Sequence, residues 1–170
     1  MNWHATYEPL LTRELEGIAF LPITSDTALV LSHLEQSHHW FSGAVCIGFL
    51  GADDLFLTWH LQRQVLQATN SLEWNRFALD RITASAEAPW DVFNRATLES
   101  VHLFSGQAKL PGDIVAARHD FNTVQGIASL WACTGNEPMG NVGEGDDLYV
   151  SLDAPRNVDD LVVADVIRAN

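Results

Sequence analysis

The fold is decided first by residues 40–61, which read WFSGAVCIGFLGADDLFLTWHL. Residues 40–50 are apolar at both alternating sets of positions, a pattern typical of a strand covered on both faces. Residues 51–54, with a glycine and paired aspartates, have the composition of a turn. Residues 55–61 then alternate between apolar and more polar positions, as expected for a half-buried strand. The stretch therefore predicts an antiparallel hairpin.

The chain around this hairpin is rich in further strand candidates. One lies at residues 16–23, and five more follow Thr97 in succession: 99–105, 113–121, 126–133, 148–152 and 161–168. Because these strands do not alternate regularly with helices, a doubly wound parallel sheet is disfavoured. Runs of strands with a few segregated helices are typical of the α+β class.

Three short helices are predicted from capping and periodicity. Ser25 or Asp26 can cap the first, whose apolar side would hold Ala28, Leu31 and Leu34 and which would fray near His38 and His39. Asn70 and Glu73 resemble a capping box for the second. Pro89 suits the first turn of the third, which would place Trp90, Phe93 and Ala96 on one face.

These elements predict a single globular domain over residues 1–170, of the α+β class. Its sheet is expected to be curved and largely antiparallel, with about six to eight strands and two or three helices. Either a cone-like or a sandwich-like arrangement fits. The turn-rich stretch 134–147 is interpreted as a surface loop within the domain, since strands flank it on both sides.

The charge balance excludes several functional classes. The chain carries 22 acidic and 9 basic residues, a formal net charge of -13. Nucleic-acid binding and adsorption to anionic lipid both require a basic surface, so neither is expected. The absence of a Gly-x-x-x-x-Gly-Lys loop excludes P-loop chemistry. Acidity favours solubility first, and a cationic ligand or a basic protein partner second.

The cysteines and the apolar runs indicate the compartment. Cys46 and Cys133 each lie in an apolar stretch and are interpreted as buried free thiols. No signal-peptide pattern opens the sequence, and no apolar run is long enough to cross a bilayer. We therefore expect a cytoplasmic protein that does not associate with membranes.

The seven histidines raise the question of a metal site. His33, His38 and His39 fall close together, but their spacing matches no zinc-binding motif. A polar helix end is the favoured explanation, because histidine interacts favourably with a helix C-terminus. The paired aspartates are explained by turn formation. We expect neither a metal site nor a cofactor.

Arg118-His119-Asp120 is the most reactive-looking triplet of the sequence. On a strand, Arg118 and Asp120 would share one face and His119 would point to the other. If His102 lies on a neighbouring strand, His102 and His119 are candidates for general acid–base catalysis. The favoured interpretation is a surface ion pair of Arg118 with Asp120 or another carboxylate, which would contribute little.

The six tryptophans suggest ligand binding. Most should serve the core, but one or two can line an apolar pocket or an interface. The candidate ligand-binding residues are Trp59, His60, Arg118 and Trp131.

No catalytic motif was found, so the leading hypothesis is a non-catalytic binding module. It would bind a small aromatic or cationic ligand, or a basic protein, on a curved sheet. Two alternatives stay open. One is a small cofactor-independent hydrolase or isomerase with a histidine base, and the other is a structural subunit that assembles with copies of itself into a homo-oligomer.

Overall fold

The computed structural model describes residues 2–59, 66–69, 81–105, 118–133, 147–152 and 162–169 of the chain. These residues form two short α-helices, α1 (Trp3–Tyr7) and α2 (Thr24–Ser32), and three 3-10 turns at Glu8–Leu10, Ala84–Ala86 and Trp90–Phe93. The strands are β1 (Leu15–Pro22), β2 (His38–Phe41), β3 (Gly43–Phe49), β4 (Leu55–Trp59), β5 (Leu66–Thr69), β6 (Ile82–Thr83), β7 (Leu98–Ser105), β8 (Arg118–Thr123), β9 (Ile127–Cys133), β10 (Asp147–Leu152) and β11 (Val162–Arg168).

The strands form two antiparallel sheets. The five-stranded sheet has the order β5-β4-β3-β1-β6, and the six-stranded sheet has the order β11-β7-β8-β9-β10-β2. The predicted α+β class with largely antiparallel strands is confirmed. The strands divide between two sheets rather than gathering in one, which gives the sandwich-like form of the prediction.

One continuous hydrophobic core lies between the two sheets. Phe20 and Ile47 of the five-stranded sheet belong to the same buried cluster as Leu103 and Leu130 of the six-stranded sheet. Helix α1 contributes Tyr7 to this cluster. Burial of each large apolar side chain stabilises the fold by roughly 1.5–3 kcal/mol, so the shared core holds the sheets together.

Strand β3 is buried along its whole length. Its second face belongs to a separate buried cluster on the far side of the five-stranded sheet, made of Ala19, Leu21, Ala44, Cys46 and Phe56. The prediction of a strand covered on both faces is therefore confirmed for residues 43–49. So is the hairpin, because β3 pairs with β4 in antiparallel register.

The apolar run 40–50 contains a corner that its sequence pattern conceals. Residues 38–41 form β2 in the six-stranded sheet, whereas β3 begins at Gly43 in the five-stranded sheet. The chain thus crosses between the sheets at Ser42, whose backbone N–H donates to the Asp26 carboxylate at 2.8 Å. Gly43 has a φ of +148°, a conformation that side chains rarely adopt.

Helix α2 departs from its predicted face and cap. Asp26 binds the corner at Ser42 instead of capping its own helix, which begins after Ile23 without a side-chain cap. The buried residue of the helix is Val30, while Leu31 is 55% exposed. His38 and His39 form the start of β2 rather than a frayed helix end, because β10 offers them an antiparallel partner.

The segment after Pro89 is shorter than predicted but buries the predicted face. Only one 3-10 turn forms, yet Trp90, Phe93 and Ala96 are all buried. The Trp90 indole donates to the backbone carbonyl of Gln36 at 2.8 Å. The helix predicted around Asn70 lies outside the described residues, as does the loop predicted at 134–147 apart from its last residue.

The strands predicted at 16–23 and after Thr97 are confirmed, β8 being described from Arg118 onwards. Cys46 is a buried free thiol, as predicted, and burial raises its pKa to about 12. No helix among the described residues has the length and apolar character needed to cross a membrane.

Replacement of Gly43 by alanine tests the corner. The new Cβ would lie 2.1 Å from the carbonyl oxygen of Leu21. Strain and overpacking together should lower the free energy of unfolding by at least about 2 kcal/mol, measured by urea denaturation. Gly126→Ala is the control, because an added Cβ there meets nothing within 4 Å. Equal stability of the two variants would contradict the role of this corner.

Candidate functional site

Two rows of side chains cross the outer face of the six-stranded sheet, the face turned away from the shared core. Residues directly opposite each other on paired strands point to the same side. The aromatic row has Phe104 on β7, Arg118 on β8, Tyr149 on β10 and Trp40 on β2, and Trp131 holds the register position between Arg118 and Tyr149. The polar row follows the register His102, Asp120, Ser129, Ser151 and His38.

A closed ion pair links the two rows on β8. The Arg118 guanidinium donates to both carboxylate oxygens of Asp120, at 2.6 Å from Nε and 2.5 Å from Nη2. The side chains are only 7% and 6% exposed, so the predicted surface ion pair is in fact a buried one. Arg118 also lies 4.4 Å over the ring of Phe104, a cation–π contact.

The centre of the polar row is enclosed. Ser129 and Ser151 are 0% and 4% exposed. Within the part of the chain that the structure describes, the Ser129 hydroxyl has no hydrogen-bond partner. Such groups are rare in folded proteins, because an unpaired buried hydroxyl retains the cost of leaving water.

Imidazoles stand at both ends of the polar row. His102 is partly buried, and its Nε2 lies 3.3 Å from the Ser100 hydroxyl. Burial lowers the pKa of His102, an effect that the nearby Asp120 carboxylate partly opposes. At the other end, His38 is exposed and stacks on the Tyr149 ring with 6.0 Å between the ring centroids. The row is therefore buried in the middle and open to solvent at its ends.

His119 lies on the opposite face of the same sheet. Its Nδ1 is 2.5 Å from the Tyr7 hydroxyl, and the Trp3 ring meets it edge-on. The side chain has no exposed surface, and burial lowers its pKa to about 3. Strand alternation thus separates His119 from His102, and the structure does not bring these two predicted catalytic candidates together.

The predicted ligand-binding residues are divided between the two sheets. Arg118 and Trp131 are opposite each other on β8 and β9 of the six-stranded sheet. Trp59 ends β4 in the five-stranded sheet, where it pairs with Leu66. His60 lies outside the described residues.

Sequence reasoning missed the importance of Ser129 and Tyr149. Both occupy the outer set of positions on strands whose inner positions are strongly apolar, as in IASLWAC for β9. That alternation indicates which face they occupy. The pattern does not indicate whether other segments cover that face. From the sequence alone, a polar residue there is therefore interpreted as solvent-exposed.

The three neighbouring histidines line a small cavity of about 90 Å³ between α2 and β2. His39 is 4% exposed, and its ring packs against Phe20 and Trp90. Burial is the main cause that lowers the pKa of His39 to about 4, and electrostatic interaction with the neighbouring His38 adds to it. In the part of the chain that the structure describes, no three histidine, cysteine or acidic side chains are grouped to hold a metal ion.

Comparison of the chain with protein-family models, with curated proteins and with solved structures finds no match.

Asp120→Asn tests the buried ion pair. The Arg118 charge would lose its counter-ion in a desolvated position, so the free energy of unfolding should fall by about 3–5 kcal/mol in urea denaturation. The matched control is Glu14→Gln, which breaks an exposed pair with Arg95. That change should cost less than about 1 kcal/mol. Similar losses of unfolding free energy in the two variants would show that the buried Arg118–Asp120 pair matters no more for stability than the exposed pair.

His39→Phe tests the effect of pH on stability. Because the pKa of folded His39 is about 4 against an ordinary 6.5, the unfolded chain binds the extra proton as pH falls between these values. His39 therefore makes the free energy of unfolding fall with falling pH, by up to about 1.4 kcal/mol per pH unit. The variant should lack this component. Parallel stability curves for the two proteins from pH 7 to pH 4 would contradict the assignment.

Proposed function

We propose that this protein is a binding module that holds a small aromatic ligand against the outer face of its six-stranded sheet. The observation that carries the proposal is the Ser129 hydroxyl, which is fully buried and has no hydrogen-bond partner among the described residues. Leaving such a group unpaired costs about 1–3 kcal/mol. A ligand that hydrogen-bonds to Ser129 would remove this cost on binding.

The side chains around Ser129 suit a flat ligand. Two aromatic contacts are already formed on this face, because Tyr149 stacks on His38 and the planar guanidinium of Arg118 lies over the Phe104 ring. Aromatic surfaces with a few converging polar groups are typical of small-molecule sites. The hydroxyl and imidazole groups of the polar row can then fix the orientation of the ligand by hydrogen bonds.

A basic polypeptide or a cationic ligand is supported by the net charge alone. The outer face adds nothing to this support, because its one carboxylate in the two rows, Asp120, is already paired with Arg118. Binding that weakens with added salt would favour the basic partner. We therefore rank it below the aromatic ligand.

Acid–base catalysis at the same face is a second candidate function. It is favoured by the 3.3 Å approach of the Ser100 hydroxyl to His102, whose lowered pKa keeps the imidazole neutral near pH 7. A neutral imidazole can accept a proton from a substrate. Chemical change in a bound compound, lost on replacement of His102, would separate this candidate from simple binding.

Ser129→Ala tests the binding proposal through two measurements. Without ligand, the variant should be as stable as the original protein or more so, because it no longer buries an unpaired hydroxyl. With an aromatic compound that stabilises the original protein in a thermal-shift screen, the variant should show a smaller shift.

Ser85→Ala supplies the matched control. Ser85 is 1% exposed and accepts a hydrogen bond from the Ile18 backbone N–H at 3.1 Å. Its replacement should lower stability by about 1 kcal/mol but leave the ligand-induced shift intact. If no aromatic compound in a broad screen shifts the melting temperature, the proposed function is wrong.

A further inference from the structure

The chemical class of the ligand follows from the charge and the hydrogen-bonding groups of the outer face. We infer that the site takes an uncharged heteroaromatic ring that carries both hydrogen-bond donors and acceptors. This inference rests on the proposed function, and it goes further by excluding the charged ligands that the acidic composition favours.

The fixed charges of the two rows cancel. Arg118 and Asp120 carry opposite charges and satisfy each other through two hydrogen bonds. Neither has a charge left over for a ligand ion. Among the described residues, Arg168 lies opposite Ser100 on this sheet, and it is solvent-exposed. Its field at the enclosed centre is therefore weakened by water and salt.

Bringing a charged ligand into this enclosed row would be unfavourable. A buried charge needs a counter-ion and hydrogen bonds to offset its lost hydration. Competition for Asp120 by a cation, or for Arg118 by an anion, would leave the other member of the pair buried without a partner. Loss of one member of such a pair is strongly destabilising. The closed pair thus selects against both signs of charge.

The hydrogen-bonding groups of Ser129 and His102 are neutral, and each of them can both donate and accept a hydrogen bond. A serine hydroxyl donates one hydrogen bond and accepts others, so Ser129 can bind either an N–H or a ring nitrogen. A neutral imidazole such as that of His102 likewise has one donor and one acceptor nitrogen. Such a set complements the edge of a heteroaromatic ring.

The geometry of the flanking rings fits a flat ligand. Tyr149 and His38 are stacked with only 17° between their planes. Offset stacking of this kind is a favourable arrangement for aromatic groups. A bound ring can extend this stack on the exposed side of His38.

Two matched series of compounds test the inference. The one-ring series is nicotinamide, which is neutral, nicotinate, which is anionic, and 1-methylnicotinamide, which is cationic. The two-ring series is quinolin-2-one, quinoline-2-carboxylate and 1-methylquinolinium, in the same order of charge. Dissociation constants are measured by calorimetry and by ligand-observed NMR at low and high salt, with the full chain and with its Ser129→Ala and Ser85→Ala variants.

The neutral member of at least one series should bind at least about tenfold more tightly than either charged member. Its dissociation constant should not change with salt, because no net charge is neutralised on binding. Ser129→Ala should weaken it by about tenfold, the loss of one hydrogen bond to a buried group. Ser85→Ala should leave it unchanged.

Two results would count against the inference in different ways. If a charged member binds as tightly as the neutral one and is weakened by Ser129→Ala, the ligand class is wrong and the proposed function stands. If no member binds in a manner that depends on Ser129, the proposed function falls together with the ligand class.

Discussion

The crossing of the chain from one sheet to the other at Ser42 and Gly43 is the constraint on which the rest of the structure depends. One apolar segment supplies an edge strand to the six-stranded sheet and the central strand of the five-stranded sheet. The two sheets must therefore pack face to face over a single core. Backbone geometry that only glycine tolerates, with the Asp26 carboxylate holding the Ser42 amide, fixes the place of this crossing.

Both sheets pack their apolar faces against the shared core. Because side chains alternate along a strand, the polar positions of the six-stranded sheet therefore point away from that core. The middle of that set is nevertheless buried, so its charges and hydroxyls need partners within the protein or from a ligand. Arg118 and Asp120 meet this requirement by pairing with each other, whereas Ser129 does not. The contrast between a satisfied pair and an unsatisfied hydroxyl makes this face the candidate site.

The sequence was most informative where a periodic pattern decides the structure. Apolar alternation predicted the β3–β4 hairpin, the strands after Thr97 and the opposite faces of His119 and Asp120, because strand geometry alone determines these features. It failed where tertiary contacts decide. Nothing in residues 40–50 separates β2 from β3. Leu31 was expected inside and is exposed, and the Arg118–Asp120 pair was expected at the surface and is buried. Cover over a sheet comes from segments distant in the chain, which local periodicity does not record.

The hydrogen bond between Tyr7 and His119 joins residues separated by 112 positions. A nascent chain can form it only after residue 119 has left the ribosome. Until then, the tyrosine hydroxyl of the first helix can hydrogen-bond only to water or to other groups. Contacts of such long range are slow to form, because closing the loop costs entropy before any burial compensates it. We therefore expect helix α1, although it is synthesised early, to dock late in folding.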